Sequence, residues 1–444
     1  MESAVLFVVG ILVALLGLAV SIALHEVGHL VPAKLFGVRV MQYMIGFGPT
    51  VFSRRRGETE YGIKAIPLGG YISMIGMFPP KRDGARGRTG STGYFAAMID
   101  DGRAASAETV RPGEEHRAFY ALPVWKQIVV MIGGPLMNVV LAFLCFTIVV
   151  SGFGVYQPTT TIDSVYQCVV PQAEQRTDAQ AECDTPAPAV AAGVQPGDRI
   201  VAVDGAPVQD WEQVRTIVSA SPGRTLPLTV VRGHEELELL LTPAVNTVYR
   251  LDDSGQVMTG PDGQRLTHEV GYAGFTALEE RRRLSPAFAA ELTGRTAQAV
   301  VGVVVTLPKR VVDMWNAAFG GAERDPNGPM SVVGVGRVTG EIAAQTQIPV
   351  LDRIATIVSL VGSLNVALAV MNLIPLPPLD GGRIATALFD GLRRWTARLL
   401  RRPDPGYFDS AKLIPVTMTV ALLFFAMTAL FVYTDIVNPV RLFE

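Results

Sequence analysis

The sequence predicts a polytopic α-helical membrane protein with four transmembrane helices and an α+β domain inserted between the second and third. Three observations lead there. Hydrophobic residues make up 49% of the 444-residue chain and charged ones 18%, so the mean hydropathy is positive, +0.33. Four apolar stretches fall at about 4–35, 127–152, 354–376 and 413–434. At about 1.5 Å per residue each can cross roughly 30 Å of hydrocarbon. Between the second and third lies a long segment of alternating apolar and polar residues, punctuated by Gly and Pro. A net charge of −2 gives no pull toward nucleic acid, and none is expected as a partner.

The first span (1–38) carries no charge over residues 4–24 and then runs without a break into His25-Glu26-Val27-Gly28-His29. Residues four apart share a helix face, so His25 and His29 can grip one zinc ion. Glu26 can then act on the water at that metal. Ionisable groups at membrane depth are expensive and are usually functional. The opposing reading, two helix-end histidines at headgroup level, leaves the Glu26 carboxylate unexplained. With Glu2 where a signal peptide would be basic, the span is expected to be retained.

A third ligand stands far away in sequence. Asp380 follows an uncharged stretch at 354–379, within a third span bounded at 353–382. Pro375, Pro377 and Pro378 stop a helix there, and Gly381-Gly382 allows a sharp bend. Asp380 is therefore expected on an irregular segment at membrane depth, tolerable only in a buried or wet site. Two histidines and one carboxylate leave a fourth position for water, the catalytic form of a zinc site. Taken alone, Asp380 also reads as a turn aspartate.

The remaining elements follow in order. Residues 39–78 alternate and are Gly-rich, which predicts a β-hairpin or small sheet with a turn at 53–57. Residues 79–126 form a polar loop, Gly-, Arg- and Ala-rich over 79–118 and expected to be flexible. The second span, 127–156, carries Gly133, Gly134, Pro135 and Asn138, small groups that permit close helix approach. Residues 157–246 form the α+β domain, and 247–352 read as a linker with juxtamembrane helices. Residues 383–412 are a loop, and 413–444 are the fourth span and tail. The segments 31–127 and 380–412 hold 14 and 7 basic residues against 8 and 4 acidic ones, which orients both to the cytoplasm. The segment 157–352, with 15 basic and 24 acidic residues, then lies outside. Cys168 and Cys183 fall there and can pair or stay free; Cys145 reads as apolar filler in the second span.

The motifs together resemble the site-2 protease family of intramembrane zinc metalloproteases, in its bacterial regulator-of-sigma-E type with one PDZ domain. The resemblance rests on HEVGH at 25–29, GFGP at 46–49, IPLGGY at 66–71, GGPLMN at 133–138 and the stretch Asn372 to Gly381. Residues 189–205, with Pro196-Gly197-Asp198 before a short apolar strand, resemble a PDZ domain. The resemblance implies zinc on His25, His29 and Asp380, with Glu26 as catalytic base. It implies a membrane-associated β-loop at 39–78 that presents an edge strand to an unwound substrate. Asn372 and Asn138 are the candidate substrate-binding residues. The implied substrate is a pre-trimmed single-span membrane protein such as an anti-sigma factor, with signal-peptide remnants as a further class. The implied home is the inner or plasma membrane, the active site toward the cytoplasm. A PDZ-bearing scaffold without proteolysis is the alternative, and the complete His-Glu-His-Asp set weighs against it. A metal transporter would need further rows of ligands along a path.

Overall fold

A computed structural model describes residues 2–80, 94–168, 186–250, 257–258, 260, 264–321, 324–325 and 328–440. Along the chain the elements are α1 (Glu2–Leu35), β1 (Val40–Arg56), β2 (Thr59–Met74), α2 (Tyr94–Glu108), α3 (Val124–Thr147) and β3 (Val155–Val165). Then come α4 (Pro188–Ala191), β4 (Arg199–Val203), β5 (Ala206–Pro207), α5 (Trp211–Ser219), β6 (Leu226–Arg232) and β7 (Glu235–Leu241). They are followed by β8 (Ala244–Tyr249), β9 (Thr267–Tyr272), β10 (Phe275–Arg282), α6 (Pro286–Val305) and α7 (Leu307–Phe319). The chain closes with α8 (Val332–Ala344), α9 (Val350–Leu373), α10 (Asp380–Leu399) and α11 (Ile414–Val437). Two compact units result: Val150–Leu284, and the rest of the chain.

The larger unit is helical. Among the described residues, four helices are long and apolar enough to cross a membrane: Ser3–Leu35, Val124–Phe153, Val350–Leu373 and Ser410–Val437. The chain is a multi-pass membrane protein. Helix α1 packs on α3 and α8, and α3 packs on α9. The α1–α3 contact is close because both faces lack side chains. A Cβ on Gly28 would lie 2.2 Å from the Gly133 carbonyl oxygen, and one on Gly133 would lie 2.0 Å from that of Gly28. Ala142 and Phe146 of α3, Ala289 of α6 and Val366 of α9 form a buried apolar knot.

Strands β1 and β2 fold back on themselves. Residues 42–45 pair with 60–63 on one side and with 70–73 on the other, while 52–56 pair only with the first half of β2. Residues 70–74 therefore form an edge. The Tyr43 hydroxyl donates to the Ala23 carbonyl at 2.8 Å, tying this sheet to α1.

The second unit is a sheet ordered β10-β3-β4-β6-β7, with β5 beside β4 and a separate β8–β9 pair. Leu226, Leu228 and Val230 alternate along β6 and are all fully buried, against Ile200, Val203, Val214 and Val218. Asp198, just before β4, is buried and takes both prongs of the Arg232 guanidinium at 2.7 Å, plus the Gln195 amide at 2.8 Å. Cys168 is disulfide-bonded; Cys183 lies outside the described residues. Cys145 is free.

Three expectations need correction. Residues 383–412 are not a loop: α10 carries an apolar stripe, Leu388, Leu392, Trp395 and Leu399, at helical spacing of four, three and four. Within 79–118, residues 94–108 form α2. It is pinned by the Arg103–Asp409 ion pair; 81–93, within the stretch expected to be flexible, lie outside the described residues. The early part of 247–352 supplies strands, since β10 pairs with β3 over most of its length.

Candidate active site

Helix α1 delivers His25, Glu26 and His29, and all three are buried. Asp380 arrives from a different helix, α10. It is not on the irregular segment itself but is the first residue of α10. The proline-rich turn 374–379 precedes it, closed by the Leu379 amide on the Leu376 carbonyl and the Gly382 amide on that of Leu379. The two glycines are required for that fold. A Cβ on Gly381 would lie 2.3 Å from the Ile374 oxygen, and one on Gly382 would lie 2.6 Å from the Pro377 nitrogen. A carboxylate in the first turn of a helix is also favoured by the aligned peptide dipoles.

The donor atoms converge. His25 Nε2 and His29 Nε2 are 3.2 Å apart, and Asp380 Oδ2 is 3.3 Å from the first and 3.2 Å from the second. Tetrahedral zinc with bonds of about 2.0–2.1 Å needs ligand atoms about 3.3–3.4 Å apart, so this triangle has the edge length of a zinc site. The protons agree. His29 Nδ1 is 2.7 Å from the Val130 carbonyl oxygen, so Nδ1 carries the hydrogen and Nε2 is left a bare acceptor. Asp380 Oδ2 is buried with no hydrogen-bond donor. The bare His29 Nε2 and the Asp380 carboxylate, brought together with His25 Nε2, suit a cation. Among the described residues this is the one group of three or more His, Cys, Asp or Glu side chains spaced to hold a metal.

A cavity of about 480 Å³ opens on the triangle. Glu26 lines it, together with Gly70 to Ile72 of the β2 edge, Asn372 and Arg383. The β2 edge touches the candidate base: a Cβ on Gly70 would lie 3.0 Å from Glu26 Cγ. Asn372, in the last turn of α9, faces the cavity. Asn138 lines it too, but has no exposed surface, and its amide lies 3.1 Å from His25 Nδ1. Arg383, one turn past Asp380, was not foreseen. Its only signal was a basic residue directly behind Asp380-Gly381-Gly382.

The model of peptidase family M50 matches residues 13–399, which includes every residue of this site. The chain belongs to peptidase family M50, the site-2 protease family. It is similar to zinc metalloprotease Rip1 of Mycobacterium tuberculosis, 31% identical over 448 residues, covering 99% of this chain and all of the relative. The Rip1 proteins of Mycobacterium bovis and Mycolicibacterium smegmatis are 31% and 30% identical over 99% of this chain and the whole of each relative. This site-2 protease is accordingly a zinc metalloprotease, and its cofactor is zinc. The donor triangle fits that ion in ligand type and spacing.

Proposed function

We propose that this site-2 protease cuts a transmembrane helix of a single-span protein already trimmed outside the membrane. Its substrate class is that of an anti-sigma factor, and signal-peptide remnants form a second class. The observation that carries the reading is the convergence of His25, His29 and Asp380 on one point beside Glu26, in a cavity among apolar helices. His25, His29 and Asp380 would hold zinc, which would supply Lewis acidity at the scissile bond. Glu26 takes the proton of the attacking water at its carboxylate and returns it to the leaving amide nitrogen. A helical peptide bond is shielded by its own hydrogen bonds, so the substrate must unwind. The edge formed by residues 70–74, whose Ile72 amide is turned to Glu26, offers main-chain partners to the extended strand, and Asn372 offers an amide.

The unit at 150–284 is read as a PDZ domain that screens substrates with bulky outer portions. The charge pattern supports a cytoplasmic active site, with this unit outside. The PDZ domain is assigned to 157–246, with β10 added to its sheet.

The test pairs zinc analysis of the purified protein with cleavage of a single-span model substrate in detergent, for wild type and Glu26→Gln. The reading expects both proteins to hold about one zinc and only wild type to cut, as a lone catalytic site requires. Zinc in wild type without cutting of any trimmed substrate would favour the scaffold alternative. No zinc in either would remove the site.

A further inference from the structure

The two histidines are held from one helix. Val130 and Asn138 of α3 lie eight residues apart. The first presents its carbonyl oxygen to His29 Nδ1 at 2.7 Å, and the second presents its side-chain amide to His25 Nδ1 at 3.1 Å. The Val130 contact fixes the tautomer of His29. The Asn138 contact raises a question of polarity. An imidazole that binds metal through Nε2 carries its hydrogen on Nδ1, which is then a donor. The amide nitrogen turned toward it is also a donor. Meanwhile Asn138 Oδ1, buried in a residue with no exposed surface, has no hydrogen-bond partner. Amide oxygen and nitrogen have the same shape, and their assignment follows from the network around them. Exchanging the two removes a donor–donor clash and gives the idle oxygen a donor.

We propose that Asn138 accepts the Nδ1 hydrogen of His25 through Oδ1, and so is the positioning residue that holds His25 Nε2 open toward zinc. It acts through His25 rather than on the substrate. This inference rests on the reading of His25 as a zinc ligand. The geometry depends on the glycine contact described above, because only a bare α1–α3 interface brings Asn138 within reach of the ring.

The experiment measures zinc affinity of the full chain in detergent by competition with a chromogenic chelator. Wild type is compared with Asn138→Leu, which keeps the bulk and removes the acceptor, and Asn138→Asp, which keeps the acceptor and cannot donate when ionised. Thermal unfolding of the chelator-stripped proteins reports whether the helices still pack. Loss of an outer-shell partner of a metal-bound histidine costs about 10–100-fold in affinity. Asn138→Leu is expected to weaken zinc by that factor, and Asn138→Asp to bind within about threefold of wild type or more tightly. Wild-type affinity in Asn138→Leu would overturn the proposal, as would equal weakening in both variants. If Asn138→Leu unfolds, Asn138→Asp still decides: weakened zinc in a folded Asn138→Asp refutes the acceptor role. Failure of wild type itself to bind zinc would instead strike the metal site.

Discussion

A single methyl group added at Gly134 is expected to disable the metal site without unfolding the protein. A Cβ there would lie 2.2 Å from His29 Nε2 and 2.7 Å from His25 Cε1. Ordinary contact begins near 3.4 Å, so His29 must retreat by about 1.2 Å. Metal–ligand distances tolerate shifts of about 0.2 Å, and a misplacement near 1 Å costs roughly 100-fold in rate. The imidazole cannot swing freely, because Nδ1 is tied to the Val130 carbonyl on the same helix. Gly134→Ala should therefore weaken zinc binding and lower cleavage by about 100-fold. Chelator competition reads the first, and a single-span substrate the second. Gly302→Ala in α6 is the control, since a Cβ there meets nothing within 4 Å. Helix propensity alone would make either change stabilising by about 1 kcal/mol. Wild-type zinc affinity in Gly134→Ala would refute the reasoning that this backbone is bare in order to make room for the ligands.

Other expectations follow from the same geometry. Glu26→Gln should keep zinc yet lower cleavage by about 100- to 10,000-fold, the usual weight of a general base; retained cleavage would free Glu26 from that role. Asp435 is buried against Arg324 and accepts from the Ser331 amide and hydroxyl. Asp435→Asn leaves a buried cation uncompensated and should cost about 3–5 kcal/mol, read as a fall in thermal stability in detergent. In the 150–284 unit, burial disfavours the charged Asp198, but the Arg232 fork and the Gln195 amide outweigh it, so its carboxyl titrates below the usual aspartate range. A lowered folded value means the stabilisation is present above about pH 4 and is lost as pH falls through the folded value. Hydrogen-exchange protection of β6 amides should therefore exceed that of Asp198→Asn at pH 6, and the difference should shrink as pH falls below the usual aspartate range; a difference constant with pH would contradict the pairing.

How much was legible before the structure depended on whether the information lay in side chains. The candidate donors on α1 were, because a spacing of four puts His25 and His29 on one face and because charge in an apolar run needs a reason. The carbonyl that orients His29 was not, since Val130 looks like any lipid-facing valine; only the fold gives its backbone a partner. Helix α10 was hidden for another reason. Its arginines resemble a solvated loop, and the stripe from Leu388 to Leu399 emerges only when counted at helical period. Strands β9 and β10 were hidden by charge, since Glu279 to Arg282 pair through main-chain groups that their side chains do not advertise. The fold-back of β1 and β2, with residues 42–45 paired on both sides, follows from register rather than composition. Close helix approach was readable on the second span, from its small residues at 133–135, but not that Gly28 is the partner of Gly133. Its consequence for His25 and Asn138 needed the coordinates.

The most direct test is to map the scissile bond. A single-span substrate would be reconstituted in lipid vesicles with wild type or Glu26→Gln, and the fragments weighed by mass spectrometry. The account expects a cut inside the apolar span of the substrate with wild type, and none with Glu26→Gln. A cut in the polar flanks, or the same fragments from Glu26→Gln, would contradict proteolysis within the membrane by this site.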